Sequence, residues 1–397
     1  CLFIMPFAFR IIEWRSLKLV WKVVLSGLFI VNTILVIPSF WQSAGTVIDA
    51  DHSEYVINEL LAPTVGHWPY SDFIPQYQSF YGFLLNPFAG SMSASQLSKL
   101  AFMGLTILTF LTIALGVYIA WNAIGRRSIF LTIGLVVPFT GLTQFPIREG
   151  YMGSIASLLS GLSVRIFPGM ALLGLLLVLL SKTATSTQVK KTIAFLIFGF
   201  VAGIVSWQSQ DFGIAAAVTA YLVIIFAGSS RLIEVKTTLI ALIGYVPGFA
   251  LYPVIAALAG KAVSFDFFLF FARQFGSGFG AERMRTPGPV LYILPLLVML
   301  VVVHGIYLYK SKKSSVETAE LSLSSLIGFT FGLWSLFGFT YYLNRSYASG
   351  QMQVLFLPLS ISVAALVGIL ITDNVKNAIF APPSNGFFYS TKSIKSR

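Results

Sequence analysis

Cysteine is all but missing from this chain. Cys1 is the sole example, which excludes a disulfide framework and a Cys-built metal centre. Charge is scarce too, at 10% of residues against roughly 25% in soluble globular proteins. Only fourteen acids and three histidines are present. No stretch alternates apolar and polar residues as a β-barrel strand would; the apolar runs are continuous. Walker motifs, a serine nucleophile elbow, zinc-ligand spacing and paired half-membrane repeats are absent. The formal charge of +12 does not point to nucleic acid, because few basic residues cluster on any element that could follow a groove.

What is present is apolar: 56% of 397 residues, with a mean hydropathy of +0.84. The runs approach 20 residues, the length that crosses a bilayer. The expected fold class is an all-α polytopic membrane protein with about ten transmembrane helices and short helices in a long first outer loop. The spans fall at 20–40, 98–120, 129–146, 167–181, 192–208, 212–229, 237–258, 289–309, 321–342 and 354–372, the fourth and fifth being short. Residues 1–9, CLFIMPFAF, read as an interfacial helix or the stump of something longer.

With the N-terminus in the cytoplasm, ten spans put the C-terminus there too. The cytoplasmic segments then hold 18 of the 26 basic residues and five of the 14 acids, as the positive-inside bias requires. The domain reading is a single transmembrane unit, 1–372, with outer loops 41–97, 147–166 and 259–288, and a polar cytoplasmic tail, 373–397. Connections on the inner face are short. The outer loops hold enough chain to build a site.

The densest chemistry lies in the first outer loop, DADHSEYVINELLAPTVGHWPYSDFIPQYQSFYG. Asp49, Asp51, Glu54 and Glu59 fall within eleven residues, followed by Asp72, and His52 and His67 share the segment. A carboxylate here can deprotonate an acceptor hydroxyl or hold a divalent cation. The plainer role is to keep an exterior loop soluble. Residues 52–61 have the spacing of a short helix, and Ser93 or Ser95 reads as the cap of the next one. His67-Trp68-Pro69-Tyr70 reads as a rigid turn shaping a pocket.

Arginines supply the opposite charge. Arg148 and Glu149 follow the third span, and Arg165 closes the same loop. Ile155, Leu158, Leu159 and Leu162 recur at helical spacing, which suggests a helix lying flat at the interface. Arg273, Arg283 and Arg285 stand in a Gly- and Pro-rich segment, and Arg345 follows the ninth span. Paired arginine donors suit phosphate, and interface anchoring is the bland alternative.

On TVIDADHSEYV, GHWPYSDF and NRSYASG, together with this topology, the chain resembles the GT-C superfamily of membrane glycosyltransferases. The resemblance implies a sugar donor on polyprenyl phosphate, a lipid or cell-envelope glycan acceptor, the bilayer as setting and no nucleic acid. It makes Asp51 the best candidate for the essential carboxylate and Asp49 the second. It implies substrate contacts from His52, Glu54, His67, Trp68, Tyr70, Asp72, Tyr77, Arg148, Glu149, Arg165, Arg283, Arg285 and Arg345. A divalent cation, Mg2+ or Mn2+, would fall to Asp49 and Asp51. The location implied is the bacterial inner membrane, with both termini cytoplasmic. Rival readings are a transporter or flippase for a lipid-linked or anionic solute, a polysaccharide ligase or polymerase, and a structural membrane subunit. The near absence of charge inside the spans weighs against ion-coupled transport.

Overall fold

In the computed structural model the residues described are 53–75, 80–126, 128–137, 159–182, 187–228, 235–270, 273, 290–313, 319–344 and 353–371. All regular structure among them is helical, with one isolated bridge between Pro69 and Phe73. The helices are α1 (Ser53–Leu61), α2 (Ala94–Ala123), α3 (Ile129–Val136), α4 (Phe167–Lys182), α5 (Gln188–Gln208), α6 (Gln210–Gly228), α7 (Val235–Leu258), α8 (Phe265–Phe268), α9 (Val290–Lys313), α10 (Ala319–Asn344) and α11 (Gln353–Ile371). Short 3-10 segments cover Ala62–Val65 and Tyr81–Phe88, and a π-helical run covers Leu159–Ile166.

The chain is an apolar helical protein built for a membrane. Among the described residues five helical stretches, Ala94–Ala123, Leu162–Ser181, Gln188–Gln208, Val235–Leu258 and Ile293–Lys310, have the length and composition to cross one. Their outward faces carry Ile107, Leu111, Ile197, Ile243, Val246 and Val302, each about half exposed or more, as lipid contact requires. The first expected span, 20–40, lies outside the described residues, and the third is described only to Val137.

Helix directions follow from which residues meet. Gly199 and Gly203 of α5 lie against the backbone of Ala241, Tyr245 and Phe249, while Gly244 and Gly248 of α7 lie against Leu196 and Phe200. Contact positions rise together on both helices, so α5 and α7 run parallel, and α6 must return the chain along the whole bundle between them. GFVAG faces GYVPG. Each glycine sits where a Cβ would collide with the other helix's backbone, so van der Waals contact replaces side-chain interlocking.

The remaining helices pack around this pair. Val301 meets Gly332 and Phe329 meets Gly305, making α9 and α10 antiparallel. Leu357 fills the space at Gly116, and Gly368 abuts the Ala123 carbonyl, making α2 and α11 parallel. The third histidine, His304, is fully buried in α9. Its Nε2 lies 3.0 Å from the Ser362 carbonyl of α11, and its ring rests on Gly328 of α10. Ser324 donates to the Ala123 carbonyl at 2.6 Å, closing this end of the bundle.

Two expectations for the segment before α4 need correction. The run to Leu162 is not a flat interfacial helix where it is described: Leu159–Ile166 feeds directly into α4. Leu162 is buried, and its carbonyl shares the Thr112 hydroxyl proton with that of Leu108. Apolar residues at helical spacing fit a core as well as an interface. The fourth span accordingly starts near Leu162 and reaches 20 residues. The fifth starts at Gln188, its first turn taking in Lys190 and Lys191, whose long side chains can reach past the apolar zone.

The two ends of the bundle differ in charge. Among described side chains, Arg126, Lys190, Lys191, Lys236 and Lys310 lie at the end where α2 finishes and α5 and α7 begin, and no acid accompanies them. The opposite end, where residues 53–75 and 80–93 fold, holds Glu59, Asp72, Asp211 and Asp266 with Lys99, Arg165, Lys261 and Arg273.

Candidate functional site

Residues 62–75 and 80–83 are fastened to the ends of α5, α6 and α7 by an aromatic cluster. Pro253 lacks an N–H, so the Phe249 carbonyl one turn earlier loses its helical donor. The indole N–H of Trp207 takes that place, donating to Phe249 O at 2.7 Å. Trp207 is fully buried, with Phe249, Tyr252, Phe268 and Tyr70 packed on it. Tyr252 donates its hydroxyl to the Pro69 carbonyl at 2.5 Å.

Tyr70 is the pin of this arrangement. It is 1% exposed, and its hydroxyl donates to the Trp207 carbonyl at 3.0 Å. Its own backbone accepts from Ser264 N and donates to Phe73 O, each at 2.8 Å. These bonds hold it at φ +60°, which a bulky residue rarely adopts. Tyr70 therefore has no free ring face for a sugar in this arrangement. Trp68 is different: edge-on to Phe83 and stacked near Tyr252, it stays half-buried and walls a cavity.

That cavity, about 370 Å³, is lined by Trp68, Phe80, Phe83, Ile204, Gly248, Leu251, Tyr252 and Ile255, and its walls are almost wholly apolar. A second hollow of about 410 Å³ shares no lining residue with the first. It is more polar, with Asn58 and Glu59 from the end of α1, Ala62, and His67, Asp72, Phe73 and Ile74 from the turn.

Asp72, in the lining of the second hollow, is bonded to the backbone of Trp68, in the lining of the first. Its Oδ2 accepts from Trp68 N at 2.7 Å and from Lys261 Nζ at 2.8 Å. The Lys261 bond, then the Trp68 bond, holds its carboxyl below the usual carboxylate range. The ion pair ties the first loop to the segment after α7. At the neighbouring strap, Phe80 N donates to Gln208 Oε1 at 2.8 Å, and Tyr81 donates to the Ser163 carbonyl at 3.3 Å. Burial keeps the Tyr81 hydroxyl protonated well above the usual tyrosine value. Residues 58–75 and 80–83 thus meet 159–166, 207–210 and 259–268 at one end.

Of the other expected site residues, Arg165 is buried at this end, two residues beyond the carbonyl that Tyr81 grips, and it lines neither hollow. Arg273 is on the surface, paired with Asp266 at 2.7 Å. Glu54 lies on α1, and its side chain is outside the described set. Asp49, Asp51, His52, Tyr77, Arg148, Glu149, Arg283, Arg285 and Arg345 also lie outside the described residues. Among the described residues no three His, Cys, Asp or Glu side chains gather as a metal would need. In the cleft Asp72 is already engaged by Lys261 and Trp68.

Sequence reading missed Trp207, Tyr252, Gln208 and Lys261. SWQSQDFG carries the one available signal, polar residues between two apolar runs. Comparison with protein-family models, curated proteins and solved structures gives no match.

Proposed function

We propose that this chain is a GT-C-like membrane glycosyltransferase of about ten spans, moving a sugar from polyprenyl phosphate to a lipid or cell-envelope glycan acceptor. The observation that carries the reading is the polar cleft at the end of α1. Asn58, Glu59, His67 and Asp72 from one stretch of chain line it, Lys261 ties that stretch to the segment after α7, and in sequence the stretch follows the acidic run that begins at Asp49. The positive-inside bias supports a cytoplasmic place for the end bearing Arg126, Lys190, Lys191, Lys236 and Lys310, and on this reading the cleft opens at the outer face of the bacterial inner membrane.

The reaction is a single displacement with inversion. The acceptor oxygen forms the new bond to the anomeric carbon while its proton passes to Asp51, with Asp49 as the second acid. The bond from that carbon to the phosphate oxygen breaks, and its electron pair leaves on polyprenyl phosphate. Arg165 and the arginines at 148, 283, 285 and 345 are assigned to the departing charge. Trp68, with its partly open ring, takes the sugar-stacking role in place of Tyr70; His67 and Glu59 line the acceptor side. A divalent cation, Mg2+ or Mn2+, if held by Asp49 and Asp51, would add charge neutralisation.

The test is transfer of labelled sugar from polyprenyl-phosphate donors by purified protein in lipid, native against Asp51→Asn. Transfer that falls by about 10²-fold or more in the variant supports the reading, matching the scale of general-base loss. Undiminished transfer removes Asp51 from the chemistry. Transport without transfer favours the transporter or flippase reading, for which His304 and Arg165, ionisable groups buried inside candidate spans, are the specific observations.

A further inference from the structure

Gly248, Leu251, Tyr252 and Ile255 stand at i, i+3, i+4 and i+7, one face of α7. At Gly248 that face touches the α5 backbone. From Leu251 onward large side chains return, and with Ile204 of α5 they wall the apolar cavity. Trp68, Phe80 and Phe83 of the docked loop complete the wall.

We propose that this cavity seats one acyl chain of a membrane phospholipid, packed between the loop and α7. Its volume, about 370 Å³, is within the range of small-ligand sites. The one hydroxyl among its lining residues, on Tyr252, is spent on the Pro69 carbonyl, so water entering would find few partners. Left unfilled, the aromatic and branched walls lack contact atoms on one side. A hydrocarbon chain supplies them.

Depth and continuity identify the occupant. The four α7 residues occupy its last three turns, roughly 5–15 Å from its end at Leu258 at 1.5 Å per residue. In a helix that spans a bilayer this is the level of hydrocarbon, which fills about 15 Å on either side of the midplane. Ile255 belongs to both surfaces: it lines the cavity and is 45% exposed, between Val254 at 52% and Leu258 at 85%. A chain of the surrounding lipid therefore reaches the cavity sideways, along apolar surface. The lipid site does not depend on the transferase reading; where both hold, chain and sugar compete for the open part of the Trp68 ring.

The experiment uses the full chain in phosphatidylcholine nanodiscs and reads binding, not transfer. The probe is a phosphatidylcholine with a diazirine midway along one acyl chain, and crosslinks are mapped by mass spectrometry. Expected are crosslinks at Trp68, Phe83 and Leu251, in addition to those at Ile107 and Val302 on outward lipid faces. Leu251→Trp fills the space and Ile255→Trp blocks its outer wall. Each should bring the Trp68 and Phe83 crosslinks down to background and leave those at Ile107 unchanged. Ile255 stands on an exposed surface, so its variant carries the test should Leu251→Trp fail to fold. Adding polyprenyl phosphate at the mole fraction of the probe should change nothing. Crosslinks confined to outward faces overturn the site, as do Trp68 and Phe83 crosslinks indifferent to Ile255→Trp. Crosslinks abolished by polyprenyl phosphate overturn the assignment to bilayer lipid. Transfer activity enters none of these readouts, so the site and the transferase reading stand or fall separately.

Discussion

The contact between α5 and α7 and the docking of the turn at Trp68–Phe73 use opposite means. The first is made by what is missing: four glycines remove side chains so that two backbones touch. The second is made by large side chains, Trp207, Tyr252, Tyr70 and Phe268, each filling space and three of them spending a polar atom on a backbone carbonyl. The two systems meet at Gly248 and Phe249, adjacent residues of α7. Within lipid, apolar burial gives no driving force between helices, so close backbone approach holds them. At the end of the bundle the loop must be bound against competing water, and aromatic burial with satisfied carbonyls does that.

The sharpest way to break this contrast is to restore side chains where there are none. Gly203→Leu or Gly248→Leu should abolish recovery of monodisperse protein in detergent, because the inserted atoms meet backbone that cannot move aside. Gly104→Leu on α2, where nothing lies within 4 Å, should leave yield and thermal midpoint unchanged. Removing side chains should damage the other region instead. Trp207→Ala should cost about 3–5 kcal/mol of loop-end stability and leave the Phe249 carbonyl unpaired, seen as rapid protease cleavage between residues 62 and 83 with the helices intact. Tyr252→Phe keeps the ring and loses one hydrogen bond, so about 1 kcal/mol by the same readout.

The smallest effect belongs to the Asp72–Lys261 tie. The folded pKa of Asp72 is lowered, so its contribution is present above the unfolded carboxylate value and is lost as pH falls through the lowered one. Protease resistance of the turn should be flat from roughly pH 5 to 8 and decline only below the ordinary carboxylate range. Asp72→Asn should abolish that acid-side decline. A decline near neutrality would remove Asp72 as its cause.

Helix positions were largely legible in the sequence because apolar runs, caps and charge breaks all mark them. Ser93 shows it: with Gln96 it forms a reciprocal cap, Gln96 N to Ser93 Oγ and Ser93 N to Gln96 Oε1. The helix expected over 52–61 is α1. The glycine pairs were visible as two G-x-V-x-G strings, but only three-dimensional packing tells which helix faces which. Tyr70 was misjudged because a Trp-Pro-Tyr turn looks the same whether its tyrosine faces in or out. The direction was decided 137 residues away, by Trp207. The cleft was half legible: Glu59, His67 and Asp72 were singled out, but Lys261, which holds Asp72, lies 189 residues further on and carries no local mark.

The central claim is that the cleft-bearing end and the basic end face opposite sides of the membrane. Cys1 can be replaced by Ser, and single cysteines placed at Asn58 and at Lys190 in intact cells or sealed, right-side-out vesicles. A membrane-impermeant maleimide should label the position-58 cysteine from outside and leave the one at position 190 untouched until the membrane is opened. Labelling of position 190 with protection of position 58 would contradict the account.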